Sequence, residues 1–312
     1  MAGYPPKGLI IALITPLNEE GGIDWPSMER LIERVLPFAD GLLIGEGLAG
    51  EGLLLSYEAR LELLRGATDR IAGRKPLLLC PTSATPEETL RMIEAMGEEG
   101  PEKESLYWMD LPLWYHSNRK LPQFYREWAL RTTLPILLYN HPRLISGLNR
   151  SLKRNNLRTA VVKRLAENEQ VVGLVQAGSL ERTIHYQRAV RSRREFRFYD
   201  GEEGDFLNQP SSTGVISRGA NLLPAEWKEI VSTSLDPEED PARSIHLWGE
   251  SRRLRGLHAA LGPNPAPGLK LALQRLGVID RAKTMAQGGE LPSPESKIGV
   301  FLRENFPLPS SP

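Results

Sequence analysis

The sequence predicts an α/β protein: a (β/α)8 barrel followed by a C-terminal helical appendage. Short apolar runs alternate eight times with helix-length segments over about 225 residues of the chain. The runs are continuously apolar rather than alternating, which is what parallel strands covered on both faces require. Beyond about residue 225 the apolar runs stop while helical patterns continue. These observations predict a barrel over residues 1–224 and a helical region, over residues 225–312, packed on it.

The predicted barrel strands are the runs 9–14, 41–44, 76–80, 105–108, 135–139, 171–175, 196–199 and 214–217. A doubly wound open sheet is the alternative fold, because it also alternates strands with helices. It is disfavoured because no Gly-x-Gly-x-x-Gly turn follows the first run and no acidic residue is placed to hold a ribose.

Capping residues mark where the first helices begin. Asp24, followed by Pro26, opens the first helix, and Ser56 can cap the second. Thr85 opens the third, and Glu88 three residues later completes a capping box. Each of these starts follows a predicted strand, as a repeat of strand and helix requires.

Composition bounds the class of protein. The chain has 312 residues, of which 40% are hydrophobic, so it can bury a large core in one domain with an appendage. Its 39 Lys and Arg balance 39 Asp and Glu, which gives no broad electrostatic reason to expect nucleic acid or an anionic membrane as partner. No leader pattern or apolar run of transmembrane length is found. We expect a soluble, cytoplasmic protein that binds a small metabolite.

The sequence gives no sign of metal or cofactor chemistry. Cys80 is the only cysteine, which excludes an intrachain disulfide and a thiolate zinc site, and its apolar surroundings indicate a buried thiol. No two histidines stand at metal-ligand spacing, and HExxH, P-loop and nucleophile-elbow motifs are missing. The histidines are His116, His141, His185, His246 and His258. We expect no metal and no cofactor.

In a barrel, the chemistry lies where strands end and loops begin. The loop Gly47-Leu48-Ala49-Gly50-Glu51 follows the second predicted strand. Its glycines let the backbone approach a ligand and present N–H groups to a carboxylate or an oxyanion, although a tight turn is the alternative interpretation. Other candidates at strand ends are Thr15, Glu46, residues 80–83, Trp114, residues 139–141, Gln176, Asp200 and Ser217.

Three stretches resemble the signatures of one enzyme family in order and spacing. They are residues 47–51, Leu138-Tyr139-Asn140-His141-Pro142 and Gly214-Val215-Ile216-Ser217. The family is the dihydrodipicolinate synthase and N-acetylneuraminate lyase group of class I aldolase-like TIM barrels. The resemblance runs from Leu9 to about Gly277. It implies a lyase or synthase acting on a pyruvate-like 2-oxo acid, without a cofactor and assembled as a dimer or tetramer.

The resemblance also implies an imine-forming lysine at the position that Val175 occupies. A Schiff-base mechanism needs an uncharged primary amine that attacks a ketone, and valine cannot supply it. None of the ten lysines lies in a strand-like run. Lys163 and Lys270 are interpreted as surface or structural charges on helices.

Further site residues follow from the resemblance. Tyr139 matches a tyrosine that transfers protons beside the imine, although a packed barrel tyrosine is the alternative. Leu48 and Ala49 replace residues whose hydroxyls bind the 2-oxo acid, and Trp114 replaces a second tyrosine, so none of the three can relay a proton. Tyr115 could substitute for that tyrosine only if its loop shifts. The candidate substrate-binding residues are Leu48, Ala49, Gly50, Glu51, Trp114, Asn140, Gln176 and Ser217.

Other chemistry at the mouth depends on few residues. His141 is interpreted as a polar surface histidine of a loop. Glu46 and Glu51 could act as a pair of carboxylate bases, although Glu51 matches a family glutamate that orients its loop.

Two classes of function therefore compete. A silent or reassigned relative would keep the barrel to bind a 2-oxo acid or related metabolite, or to assemble with an active paralogue. An active lyase or synthase would use relocated residues. We favour the first because residues that act as one catalytic unit fail together.

Overall fold

The computed structural model describes residues 4–97, 105–148, 154–210, 213–235, 241–285 and 291–306. Within these residues the strands are β1 (Gly8–Ala12), β2 (Gly41–Ile44), β3 (Leu77–Leu79), β4 (Leu106–Asp110), β5 (Ile136–Asn140), β6 (Val171–Gln176), β7 (Arg197–Asp200) and β8 (Gly214–Ser217). Each strand pairs in parallel with the next, and β8 pairs with β1, so the sheet closes into a barrel. The predicted (β/α)8 fold is confirmed.

The helices surround this barrel. They are α1 (Trp25–Val35), α2 (Tyr57–Ile71), α3 (Pro86–Met96), α4 (Leu121–Trp128), α5 (Pro142–Ser146), α6 (Thr159–Leu165), α7 (Leu180–Ala189), α8 (Glu203–Asn208), α9 (Pro224–Leu235), α10 (Pro241–Leu261), α11 (Pro265–Arg275) and α12 (Lys297–Asn305). The predicted caps are confirmed, since the side chains of Asp24, Ser56 and Thr85 accept hydrogen bonds from backbone N–H groups in the first turns of α1, α2 and α3.

The amino end of the barrel is covered by the N-terminal segment. The hydroxyl of Tyr107 donates to the carbonyl of Tyr4 at 2.8 Å, and that of Tyr199 donates to the carbonyl of Pro6 at 2.6 Å. A ligand would therefore approach from the carboxyl ends of the strands, where a barrel usually carries its site.

Helices continue after the last strand, as expected. Helix α9 packs on β1 and β8, while α10 packs on α9, α11 and α12. In α11 the ammonium of Lys270 bonds to the Glu51 carboxylate, which ties the helical region to the loop after β2. The domain boundary at residue 224 stays a prediction. Among the helices in the described residues, none has both the length and the apolar character that a membrane span requires.

Candidate functional site

Tyr139 and Val175 lie side by side at the carboxyl end of the barrel. They are paired in the register of β5 and β6, and both are buried. The Tyr139 hydroxyl accepts a hydrogen bond of 2.7 Å from Nη2 of Arg218, which directly follows β8. Because β5 and β8 are not neighbours in the barrel, this bond crosses the interior. Side chains paired across adjacent strands face the same side, so Val175 faces the interior with Tyr139.

Arg218 is the residue at the mouth that sequence reasoning missed. Its side chain is only 5% exposed. Nη2 also lies 3.1 Å from Oε1 of Glu46, and Nη1 donates to the carbonyl of Gly201 at 3.3 Å. The guanidinium thus lies between Tyr139 on one side of the barrel and Glu46 on the other. The sequence signal that could have identified Arg218 is its charge, directly after an apolar strand.

Glu46 bonds to the loop that was predicted to bind a carboxylate. Its Oε2 accepts hydrogen bonds of 2.8 Å from the backbone N–H groups of Leu48 and Ala49. A side chain at Gly50 would place Cβ only 2.9 Å from the backbone N and O of Glu46, so glycine is required for this close approach. The backbone N–H groups of this loop do bind a carboxylate, and that carboxylate is the side chain of Glu46.

Burial and charge fix the protonation states of this cluster. Burial lowers the pKa of Arg218, but the negative charge of Glu46, together with smaller effects of Tyr139, Glu202 and Glu203, outweighs it and raises that pKa well above the ordinary value. Burial also raises the pKa of Tyr139 well above its ordinary value, although the nearby Arg218 cation opposes this. At neutral pH the cluster therefore contains a charged guanidinium and a protonated phenol.

The interpretation of His141 as a surface histidine is wrong, because it is only 1% exposed. Its Nδ1 accepts from the backbone N–H of Leu144 and caps α5, while its ring packs edge-on against Tyr139 at 5.3 Å between centroids. Nε2 lies 3.2 Å from Oε1 of Glu202, within ion-pair distance but without hydrogen-bond geometry to any residue that the structure describes. The His141 ring is buried because it caps α5 and packs against Tyr139 at the barrel mouth.

Glu202 lies at the rim beside His141, Arg143 and Arg218. Burial raises its pKa, but His141, Arg218 and Arg143 more than offset this effect and hold the pKa at about 2, against an ordinary value of 4.5. Arg143 Nη2 is 2.5 Å from the Glu202 carboxylate, whose side chain is 12% exposed. The depressed pKa means that the folded protein prefers the ionised form of Glu202.

This preference predicts a pH dependence of stability. A depressed carboxyl pKa contributes stability that is fully present above pH 4.5 and is lost as the pH falls through about 2. The contribution is at most about 3 kcal/mol. Glu202→Gln should therefore destabilise the protein at pH 6, and its difference from the wild type in free energy of unfolding should shrink to about a quarter by pH 2.5, as measured by urea unfolding. The exposed Glu20 supplies the control variant Glu20→Gln, and a Glu202→Gln difference that stays constant from pH 6 to pH 2.5 would contradict the assignment.

Glu46 and Glu51 do not form the predicted pair of carboxylate bases. Glu51 turns away from Arg218: its carboxylate bonds to the Lys270 ammonium and accepts from the backbone N–H of Met285 at 2.7 Å. Burial lowers the pKa of Lys270, while Glu51 partly opposes that effect. Lys270 is completely buried, and its Nζ also donates to the carbonyl of Lys283 at 2.7 Å, so it is the structural charge that was expected.

The polar candidates Asn140, Gln176 and Ser217 are all buried and bond within the protein. Asn140 Nδ2 donates to Oε1 of Gln176 at 2.8 Å. The Ser217 hydroxyl donates to Glu203 at 2.6 Å, and Glu203 also accepts from the backbone N–H groups of Arg218 and Gly219. Glu203 thereby fixes the backbone from which the Arg218 side chain extends. Gln176 Nε2 is buried without a hydrogen-bond acceptor among the described residues.

Comparison with known proteins places this chain in a family. The profile of the dihydrodipicolinate synthetase family matches residues 5–286. The chain belongs to this family. It is 30% identical over 283 residues to a 4-hydroxy-tetrahydrodipicolinate synthase of Azoarcus sp., with 88% of this chain and 89% of the relative covered. The predicted family and fold are thereby confirmed.

Solved structures of the dihydrodipicolinate synthetase family have the same fold. The 4-hydroxy-tetrahydrodipicolinate synthase of Methylacidiphilum fumariolicum SolV is 25% identical, with a TM-score of 0.77 over 95% of this chain and 94% of that one. A prophage protein of the family from E. coli, solved in complex with pyruvate, is 19% identical with a TM-score of 0.78 over 96% of this chain and 98% of that one.

The remaining candidates lie around the mouth of this dihydrodipicolinate synthetase family barrel. Leu48 is half-buried and Ala49 is buried in the loop after β2, and Trp114 is half-buried in a short 3-10 helix, Pro112–Trp114, after β4. The Tyr115 hydroxyl donates to Asp110 at 2.5 Å. Asp110 is paired with Leu138, whose side chain faces away from the interior that Tyr139 faces, so Tyr115 does not replace the second tyrosine.

Proposed function

We propose that this chain is a silent or reassigned relative in the dihydrodipicolinate synthetase family, which does not form an imine with a 2-oxo acid. The observation that supports this proposal best is the bonding of the Glu46 carboxylate to the N–H groups of Leu48 and Ala49, with Arg218 as its counter-ion. Those N–H groups would otherwise be free to bind the carboxylate of a ligand.

A 2-oxo acid would compete with an ion pair that is already formed. To reach the loop it would have to displace Glu46, which is held at an effective concentration that no free metabolite can match. Displacement would also leave a second carboxylate inside the barrel, and a buried charge without its own partner is costly. Beside this place stands Val175, which has no amine to attack a ketone.

The alternative, an active lyase or synthase with a relocated nucleophile, has one candidate amine among the residues that the structure describes. Burial lowers the pKa of Lys270, which favours the uncharged form that a nucleophile needs. However, the Lys270 ammonium donates to Glu51 and to the carbonyl of Lys283, and a protonated amine has no lone pair with which to attack a carbonyl. We therefore prefer the first proposal.

We propose that the chain retains the binding of a metabolite. Pyruvate is bound by the family member from E. coli, which makes a 2-oxo acid or a related metabolite the class of ligand to test. The same proposal includes a cytoplasmic homo-oligomer, either a dimer or a tetramer, or assembly with an active paralogue. It also includes a function without any cofactor.

Reduction with borohydride in the presence of pyruvate tests the proposal. We expect the intact mass of the wild-type protein to stay unchanged. The Azoarcus sp. synthase is treated in parallel as the reference enzyme. A stable pyruvate adduct on the wild-type chain would overturn the proposal. Peptide mapping of that adduct would then identify the lysine, with Lys270 as the first position to inspect.

A further inference from the structure

A cavity lies at the carboxyl end of the barrel, on the rim between the segments that follow β4 and β5. Its volume is about 600 Å³. The lining residues are Leu113, His116, Ser117, Asn118, Arg119, Ile145, Arg154, Arg158 and Val161. Cavities of 300–1,000 Å³ are the usual size for small-molecule ligands. The apolar residues in the lining offer a surface for the body of such a ligand, and three of the polar residues are arginines.

The charge of this cavity is unbalanced. Arg119, Arg154 and Arg158 line it, and no Asp or Glu of the described ranges does. None of the three guanidinium groups makes an ion pair or a side-chain hydrogen bond with any residue in the described parts of the chain. In a chain of zero net charge, three arginines without an ionic partner among the described residues form a local cationic site around one cavity.

The cavity is held together by a buried amide. Asn118 is 7% exposed, and its Nδ2 donates to the carbonyl of Asn156 at 3.0 Å. Its Oδ1 accepts from the backbone N–H of Arg158 at 2.7 Å. One side chain from the β4 side therefore fixes the backbone of the opposite wall. The position of Arg158 relative to Arg119 is thus set before any ligand binds, which reduces the entropic cost of binding.

His116 adds a neutral polar group to the wall. Burial, together with the nearby cation of Lys120, lowers its pKa, while Glu87 and Glu127 oppose this only weakly, and neither carboxylate lines the cavity. The ring is held edge-on to Phe124 at 4.7 Å between centroids. A neutral imidazole can donate one hydrogen bond to an oxyanion without adding charge.

We propose that this rim cavity binds a small polyanion, a metabolite with at least two negative charges on phosphate or carboxylate oxygens. Guanidinium groups recognise both phosphate and carboxylate through paired N–H donors, and three of them match a ligand with more than one anionic group. The proposal goes beyond the silent or reassigned role and does not depend on whether an imine forms at position 175.

Isothermal titration calorimetry at constant ionic strength tests the site with three probes: inorganic phosphate, pyrophosphate and citrate. We expect saturable binding of pyrophosphate or citrate with a stoichiometry of one per chain, and the tighter of the two identifies phosphate or carboxylate as the preferred group. Each of Arg119→Gln, Arg154→Gln and Arg158→Gln should weaken this binding about tenfold, as the loss of a charge-assisted hydrogen bond does. All three arginines are exposed, so the variants should keep the circular dichroism spectrum and melting temperature of the wild type.

The matched control is Arg188→Gln, which removes the same charge from the exposed surface of α7. Its binding should equal that of the wild type. The proposal is overturned if none of the probes binds saturably, or if Arg188→Gln weakens binding as much as the cavity variants do. Both results concern heats of binding, whereas the imine proposal is tested by protein mass, so the two can fail separately.

Discussion

Replacing Arg218 by methionine is expected to lower the free energy of unfolding by about 3–5 kcal/mol, because removing one partner of a buried ion pair leaves the other charge uncompensated. Glu46 would keep its bonds to the loop N–H groups but lose its cation, and the Tyr139 hydroxyl would lose its donor. Glu202 and Glu203, whose charges also act on Arg218, would lose that compensation. Urea unfolding followed by tryptophan fluorescence at pH 7 measures the loss.

A double-mutant cycle separates the ion pair from the packing around it. Glu46→Gln alone should cost less than Arg218→Met, since Arg218 would still be compensated by Glu202 and Glu203. The double variant should lose less than the sum of the two single losses, by about 1–3 kcal/mol of coupling. The exposed control Arg188→Met should change stability by no more than about 0.5 kcal/mol. Strictly additive losses would show that the two charges do not act on each other.

The strands could be predicted from the sequence because each is buried on both faces. Predicted and observed bounds agree to within two residues, as for the run 9–14 against Gly8–Ala12 and the run 105–108 against Leu106–Asp110. Parallel strands of a barrel need continuous apolar character, and that local property is visible in one sequence. The helix caps at Asp24, Ser56 and Thr85 were likewise predictable because a cap bonds to backbone only three residues away.

The centre of the site could not be predicted in this way, because its contacts join distant parts of the chain. Glu46 and Arg218 are 172 residues apart and meet only when the barrel closes. Glu46 was recognised as an acid at a strand end, but nothing local shows that its carboxylate turns back to the N–H groups of its own loop. His141 shows the same limit, since its burial depends on the ring of Tyr139 and on the rim residue Glu202.

The second large effect concerns covalent capture of pyruvate. Val175→Lys alone is expected to give little adduct after borohydride reduction, because Glu46 and Arg218 still occupy the place where the keto acid would bind. Combining it with Glu46→Ala and Arg218→Ala should increase adduct formation at least tenfold. The removal of Glu46 frees two N–H donors, and hydrogen bonds to a charged group are each worth about 1.5–3 kcal/mol. Intact-mass measurement after reduction gives the adduct fraction.

The control for the triple variant carries Glu46→Ala and Arg218→Ala but not Val175→Lys. Glu46→Ala with Arg218→Ala opens the same space and frees the same N–H groups but supplies no amine, so it should form no adduct. Circular dichroism must show that the variants keep the barrel. We expect them to keep it, because removing both charges of the ion pair together leaves no uncompensated charge, whereas removing one would. If Val175→Lys alone formed as much adduct as the triple variant, the Glu46 carboxylate would not block the loop. The absence of reaction in the wild type would then be due to the missing amine alone, because the introduced lysine would have found the binding place open.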